Sequence, residues 1–110
     1  MDCDVHSDKL PEEPPDAVFV GNDYMAFAVI DCLHSETRLR VPDDVSIVGY
    51  DDVSMAAWPS IDLTTFRQPA RRMVDRTLEV LFDSIESGGG EAQHHEIDGE
   101  LIVRGSSRVR

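Results

Sequence analysis

The chain has 110 residues, 41% hydrophobic and 29% charged, which is the size and composition of one small globular domain. Its formal net charge of −12 at pH 7 repels phosphate backbones and argues against nucleic-acid binding by this chain alone. No stretch approaches the ~20 apolar residues of a membrane span, and the first residues have neither the basic nor the apolar part of a secretory signal.

Residues 1–16 carry six acidic residues and three prolines and almost no apolar side chain. This composition predicts a flexible acidic lead, so we place the domain at 17–110. The two cysteines, Cys3 and Cys32, do not indicate a disulfide framework. Because no export signal is present, we expect reduced thiols and a cytoplasmic location.

The sequence from residue 17 to residue 33 predicts a strand followed by a helix. Residues 17–20 form a short apolar run typical of a buried strand, and Gly21-Asn22-Asp23 interrupts it. Asn22 or Asp23 can cap the helix that follows. One apolar stripe at helical spacing predicts that helix and its buried face, and it consists of Met25, Ala28, Val29, Cys32 and Leu33.

Two further strands and a second helix follow. Residues 45–49 predict a buried strand, 54–58 one helical turn, and 63–66 a third strand. The second helix is predicted to begin near Pro69 and to end at the glycines after residue 87. Residues 96–97 and 100–104 predict a hairpin around Asp98-Gly99. The predicted buried face of the second helix consists of Val74, Leu78, Leu81 and Ile85.

This order of elements predicts an α/β fold with a largely parallel sheet. In open α/β sheets, ligands bind at the carboxyl ends of the strands. Asn22 follows the first strand and can either cap the helix or point across a cleft, where its amide would donate and accept as a sugar hydroxyl requires. The two roles are compatible if Asp23 is the cap and Asn22 faces the ligand.

Gly49-Tyr50-Asp51-Asp52 places carboxylates directly after the second strand. Asp51 can anchor a polyol, because an ionised carboxylate accepts hydrogen bonds from adjacent hydroxyls. The alternatives are a turn, or a metal site or acid–base pair formed by Asp51 and Asp52, for which no histidine lies at ligand spacing. Gln68 follows the third strand and either reaches the same cleft or caps the next helix.

An apolar cluster lies in the irregular stretch between the second and third strands. It is either part of the core or a subunit interface, where aromatic residues and methionine are enriched. The residues that could form this interface are Met55, Ala56, Trp58 and Ile61.

Four segments in series carry a family resemblance. They are Pro-Asp-Ala-Val-Phe-Val-Gly-Asn-Asp-Tyr-Met-Ala, Arg-Val-Pro-Asp-Asp-Val-Ser-Ile-Val-Gly-Tyr-Asp-Asp, Leu-Thr-Thr-Phe-Arg-Gln-Pro and Glu-Leu-Ile-Val-Arg-Gly-Ser. Together they cover about residues 15–108, and they resemble the C-terminal part of lactose-repressor/galactose-repressor-type transcriptional regulators. The resemblance implies the parallel-sheet sandwich of the periplasmic-binding-protein-like type I fold, present in part and mostly as the C-terminal lobe.

The resemblance also implies functional residues and partners. Members close two lobes over a small effector, commonly a sugar or a nucleobase, and effector binding alters operator affinity. By position, Asn22, Asp51 and Gln68 match the effector contacts. The resemblance implies no catalytic residue, metal or cofactor, and no membrane partner. The helix after Asp23 and the segment 55–61 match part of the dimer surface, and that segment contains Met55, Ala56, Trp58 and Ile61.

We therefore expect the C-terminal effector-binding and dimerisation portion of a sugar-responsive regulator, present as a fragment or a truncated gene product. DNA would be bound only through a headpiece that this chain lacks. A cleft with one wall cannot enclose a ligand, so we expect weak or absent sugar binding by the chain alone. The alternatives are a free-standing module that pairs with a full-length relative, and a metal-dependent enzyme that uses Asp51 and Asp52.

Overall fold

The computed structural model describes residues 13–109, which form two compact units. The first unit contains the described residues up to Arg67 and those from Leu101 onward, and the second is Gln68–Glu100. No helix among residues 13–109 is long and apolar enough to cross a membrane. The elements are β1 (Ala17–Phe19), α1 (Asp23–Glu36), β2 (Ser46–Asp51), a 3₁₀ helix (Ser54–Ala57), β3 (Thr64–Arg67), α2 (Ala70–Glu86) and β4 (Glu100–Ile102).

The strands form one sheet in the order β1-β2-β3-β4. β1 pairs with β2 in parallel, with Ala17 opposite Ser46, and β2 pairs with β3 in parallel, with Val48 opposite Thr64. The predicted α/β class with a parallel sheet is confirmed. Because these strands run in the same direction, their carboxyl ends lie at one edge of the sheet. We call this edge, which contains residues 20–23, 51–53 and 67, the carboxyl edge.

The core of the first unit lies between α1 and the sheet. α1 buries Asp23, Ala26 and Leu33, whereas Met25, which the sequence placed on the buried stripe, is 52% exposed. The predicted stripe was wrong at Met25. The carboxylate of Asp23 lies on the buried face of α1, and the spacing of apolar residues cannot reveal a buried carboxylate. The buried apolar residues of this core are Val20, Ala26, Leu33, Val45, Ile47, Ala56 and Leu63.

The expectation for the cysteines is wrong at Cys32, which is disulfide-bonded. That expectation rested on the composition of the first residues and not on the geometry around Cys32, which the sequence does not give. Cys3 lies outside the described residues, as does most of the predicted acidic lead at 1–16. The domain boundary at residue 17 therefore stays a prediction.

In the second unit, α2 has no buried residue. The predicted buried face is wrong here, because Val74, Leu78, Leu81 and Ile85 are 57%, 44%, 50% and 65% exposed. The apolar spacing correctly predicts an amphipathic helix but does not say which element covers it. A groove of about 490 Å³ lies along α2, and its lining includes Met73, Leu81 and Ile97.

The predicted hairpin around Asp98-Gly99 is also wrong. Residues 89–99 have no regular secondary structure, and only Glu100–Ile102 forms a strand. Ala92 and Ile97 are the only apolar side chains between residues 91 and 98. A hairpin there would have Ile97 as the one apolar residue of its first strand, and an isolated two-stranded hairpin is at best marginally stable.

Ser106 joins the amino-terminal parts of β2 and β3. Its hydroxyl donates to the carbonyl of Ile47 at 2.6 Å and accepts the backbone N–H of Thr64 at 2.8 Å. The N–H of Ile47 donates to the carbonyl of Ser106 at 2.8 Å. Ser106 is only 3% exposed, so the end of the chain is part of the framework of the sheet.

Candidate functional site

Asn22 is the N-cap of α1. Its Oδ1 accepts the backbone N–H of Met25 at 2.9 Å, and its backbone is extended, as an N-cap residue requires. The side-chain Nδ2 has no hydrogen-bond partner among residues 13–109. Asn22 therefore combines a structural acceptor with two N–H donors that remain available at the carboxyl edge.

Asp23 does not cap the helix as the sequence suggested. Its side chain is fully buried and accepts hydrogen bonds from two distant parts of the chain. Oδ2 accepts the backbone N–H of Val53 at 2.9 Å, and Oδ1 accepts the hydroxyl of Thr65 at 2.6 Å. The end of β1, the loop after β2 and β3 are thus held together by one carboxylate.

Gly49 makes room for this carboxylate. A Cβ atom at position 49 would collide with Oδ1 of Asp23 and would lie 2.9 Å from Cδ2 of Leu63. Gly49 is buried in β2, opposite Thr65 in β3. The glycine that precedes the acidic pair is therefore required by the close approach of Asp23.

The two aspartates after Gly49-Tyr50 both have positive φ angles, 125° at Asp51 and 59° at Asp52. Aspartate tolerates the left-handed region better than most residues do. A φ of 125° lies outside that region and costs about 1–3 kcal/mol, which the surrounding structure must offset. Sparsely populated backbone conformations of this kind cluster at ligand sites.

Asp52 forms the ion-pair centre of the carboxyl edge. Its Oδ2 lies 2.7 Å from Nε of Arg67, and its Oδ1 lies 2.9 Å from a terminal nitrogen of Arg104. The Asp52 side chain is 7% exposed. Burial raises the pKa of the Asp52 carboxyl, but the hydrogen bonds and charges of Arg67 and Arg104 outweigh burial and lower the pKa below its ordinary value.

An aromatic pair supports the ends of β2 and β3. Tyr50 and Phe66 are opposite each other in register, and their rings stack with centroids 5.6 Å apart and planes 2° apart. Such pairs contribute about 0.5–1.5 kcal/mol beyond their buried area. The pair directly precedes Asp51 and Arg67, so it fixes the points from which both side chains leave the sheet.

The carboxyl edge brings together some of the predicted site residues. Asn22 and Asp51 both lie at this edge of the first unit, Asn22 after β1 and Asp51 as the last residue of β2. Gln68 is the first residue of the second unit and is half-buried there. The sequence did not reveal the connecting role of Asp23 or the ion pair of Arg104. The Asn-Asp pair drew attention to position 23, but only as a cap.

The ion pairs of Asp52 also bear on the alternative that Asp51 and Asp52 bind a metal ion. Asp52 is engaged by two guanidinium groups, which compete with a cation for its oxygens. Among residues 13–109, no group of three or more histidine, cysteine, aspartate or glutamate side chains could hold a metal ion.

The predicted interface residues differ in their exposure. Trp58 is 52% exposed, whereas Ala56 is fully buried in the core and has no surface to offer a partner. Ile61 packs against the core, and Met55 is half-buried. Of the four residues, Trp58 therefore presents the largest apolar surface.

Comparisons with known proteins agree with this fold. Residues 2–107 match the family model described as a periplasmic binding protein-like domain. The chain is 37% identical over 95 residues to the HTH-type transcriptional repressor PurR of Photobacterium profundum, and 41% identical over 95 residues to that of Edwardsiella ictaluri. Each match covers 86% of this chain and 28% of the relative, so the chain spans less than a third of these relatives.

Solved structures of regulators are also similar. A complex of the transcriptional regulator CelR with cellobiose superposes with a TM-score of 0.74 at 34% identity, over 84% of this chain and 28% of that one. A LacI family transcriptional regulator from Lactobacillus casei with bound sucrose gives a TM-score of 0.67 at 33% identity, over 84% of this chain and 34% of that one.

Proposed function

This chain belongs to the periplasmic-binding-protein-like domain family of lactose-repressor/galactose-repressor-type regulators, and we propose that it contacts a small hydroxylated effector through Asn22, Asp51 and Gln68. The observation that carries the proposal is the pairing of groups at the carboxyl edge. Nδ2 of Asn22 supplies donors, and the carboxylate of Asp51 supplies acceptors. A sugar hydroxyl both donates and accepts, so neighbouring hydroxyls can engage both side chains.

The effector would be a sugar or a sugar derivative. Two similar regulators hold cellobiose and sucrose in their solved structures, which supports this class of ligand. Gln68 follows the last residue of β3 directly and carries an amide that can donate and accept. We assign it the third contact, in keeping with its position in the family motif.

This role is one of binding and not of catalysis. The chain would act as the C-terminal effector-binding portion of a cytoplasmic transcriptional regulator, and effector binding would alter operator affinity through other parts of the protein. DNA would be bound by a headpiece outside this chain. The net charge of −12 agrees with that division, because it disfavours direct contact with phosphates.

A titration of the full 110-residue chain tests the proposal. Because a cleft with one wall binds weakly, we expect ¹⁵N–¹H correlation peaks of the Asn22 side-chain amide, Asp51 and Gln68 to move only when cellobiose or sucrose reaches the millimolar range. Asp51→Asn should greatly reduce these shifts, because the amide replaces one acceptor oxygen with a donor. Asp83→Asn, an exposed change on α2, is the matched control. Wild-type peaks that ignore both sugars, or shifts that persist in Asp51→Asn, contradict the proposal.

The exposed Trp58 favours a second role, pairing with another regulator chain, either a second copy or a full-length relative. Trp58 is 52% exposed, and Met55 and Ile61 flank it in the sequence. Aromatic residues and methionine are enriched at interfaces. We expect Trp58→Asp to lower the dimer fraction in sedimentation velocity, with Ala92→Asp, an exposed change outside the 55–61 segment, as the control. An unchanged dimer fraction, or a monomeric wild-type chain, contradicts this role for a pair of identical chains.

A further inference from the structure

Asp23 has a carboxylate that the proposed effector contacts do not use. The side chain is fully buried, and each oxygen accepts one hydrogen bond from a different part of the chain. Burying a charge is costly unless it is well hydrogen-bonded. A buried carboxylate at this position therefore calls for a reason beyond filling space.

Helix capping does not supply that reason. Asn22 already accepts one of the free N–H groups in the first turn of α1, that of Met25, at 2.9 Å. Asp23 points instead toward the sheet, where its partners are the N–H of Val53 and the hydroxyl of Thr65. Its position in the first turn of α1 still favours the negative charge, because the N-terminus of a helix carries partial positive charge.

The partners of Asp23 lie next to the proposed effector contacts. Asn22 is its neighbour in the chain, and Val53 comes two residues after Asp51. The backbone at Asp51 has a φ of 125°, which persists only where the surroundings hold it. The bond to Val53 holds one end of that strained turn, and the ion pairs of Asp52 hold its middle.

We infer that Asp23 is a positioning residue, which fixes Asn22 and Asp51 relative to each other so that both can engage one effector. The inference rests on the proposed function for the role of Asn22 and Asp51. Asp23 itself touches no effector, because it is fully buried. The hydroxyl of Thr65 is the part of this arrangement that a single substitution can remove at nearly constant volume.

A series at position 65 tests the inference in the full chain. Thr65→Val removes the hydroxyl donor, Thr65→Ser keeps it, and Thr65→Cys replaces it with a weaker thiol donor. We expect Thr65→Val to weaken the response to cellobiose or sucrose about fivefold or more, with Thr65→Ser close to wild type and Thr65→Cys between them. If Thr65→Val does not fold, Thr65→Cys takes its place.

Backbone ¹⁵N order parameters supply a readout that needs no sugar. We expect loosening in Thr65→Val confined to residues 21–24 and 50–54, while residues near Leu33 keep their wild-type values. A merely structural role would lower the melting temperature without this local loosening. The measurements are made at a temperature at which circular dichroism shows every variant to be folded.

The outcomes separate this inference from the proposed function. If the wild type responds to sugar and Thr65→Val responds equally, the positioning role is overturned and the proposed function stands. If the wild type ignores both sugars, the proposed function fails, and the order parameters alone decide about Asp23. If residues 50–54 are then as rigid in Thr65→Val as in the wild type, the positioning role is overturned. If they are more mobile in the variant, the positioning role is supported.

Discussion

Asp23 and Thr65 are 42 positions apart in the chain, and their side chains meet at 2.6 Å in the buried interior. Asp23 begins α1 after β1, whereas Thr65 lies in β3 on the far side of β2. The carboxylate can reach Thr65 only because β2 carries Gly49 between them. This contact fixes the carboxyl edge, where the proposed effector contacts leave the sheet.

Gly49→Ala should therefore destabilise the chain. The added methyl group would collide with Asp23 and would lie 2.9 Å from Leu63. Overpacking of this kind costs about 1–3 kcal/mol in the free energy of unfolding, which urea denaturation measures. Gly21→Ala is the matched control, because no heavy atom lies within 4 Å of a Cβ at that position. Equal stability of the two variants would show that Asp23 does not need the space.

Asn22→Ala should lose the N-cap of α1. The backbone N–H of Met25 would lose its partner, and removal of such a cap costs about 0.5–2 kcal/mol. Asn22→Asp and Asn22→Ser keep an oxygen for Met25 and should stay within about 0.5 kcal/mol of wild type. Thermal unfolding followed by circular dichroism distinguishes them. If Asn22→Ala is as stable as Asn22→Ser, the cap contributes nothing.

Asp52→Asn should lower stability at neutral pH and flatten its dependence on pH. In the folded chain Arg67 and Arg104 lower the pKa of Asp52 below its ordinary value of 3.8, so the ionised form stabilises the fold above that value. That stability is lost as the pH falls from about 5 through the folded pKa. We expect a difference of about 1–3 kcal/mol between wild type and Asp52→Asn near neutrality.

Urea denaturation at several pH values between about 7 and 3 measures this difference. The gap between wild type and Asp52→Asn should shrink as the pH falls, because the wild-type carboxyl becomes protonated. Asp83→Asn, exposed on α2, should run parallel to wild type throughout. A gap that stays constant or widens toward acid would mean that the arginines do not stabilise the ionised Asp52.

Ser106→Ala should destabilise the first unit although it removes only one oxygen. The buried N–H of Thr64 and the carbonyl of Ile47 would lose their shared partner. An unsatisfied buried group costs about 1–3 kcal/mol, which urea denaturation again measures. Ser60→Ala, at an exposed position, should change stability by less than about 0.5 kcal/mol. Similar values for the two variants would contradict the role of Ser106 in joining the strands.

The sequence allowed the order of the elements and the parallel sheet to be predicted, because short apolar runs and helical spacing are local patterns. Asn22 and Asp51 could likewise be placed at the ends of strands from their neighbours in the chain. The sequence left open which member of the Asn-Asp pair caps the helix. Both residues suit an N-cap, and only the three-dimensional approach of Val53 and Thr65 to Asp23 decides which of the two side chains turns inward.

Contacts between distant residues could not be predicted. Arg104 and Asp52 are separated by the 3₁₀ helix, β3, α2 and β4, and nothing in their local sequence indicates that they pair. The apolar stripe of α2 shows a second limit of prediction from sequence. Its spacing is that of a buried face, yet Leu81 is 50% exposed. Periodicity reports that a face is apolar, but burial depends on what packs against it.

The structure of this chain in crystals soaked with cellobiose tests the proposed effector contacts. We expect sugar hydroxyl oxygens within about 3.2 Å of both Nδ2 of Asn22 and the carboxylate of Asp51, with Asp23 still bonded to Val53 and Thr65. Density for the sugar elsewhere, such as in the groove along α2, with the carboxyl edge unoccupied at saturating sugar, would contradict the proposed contacts.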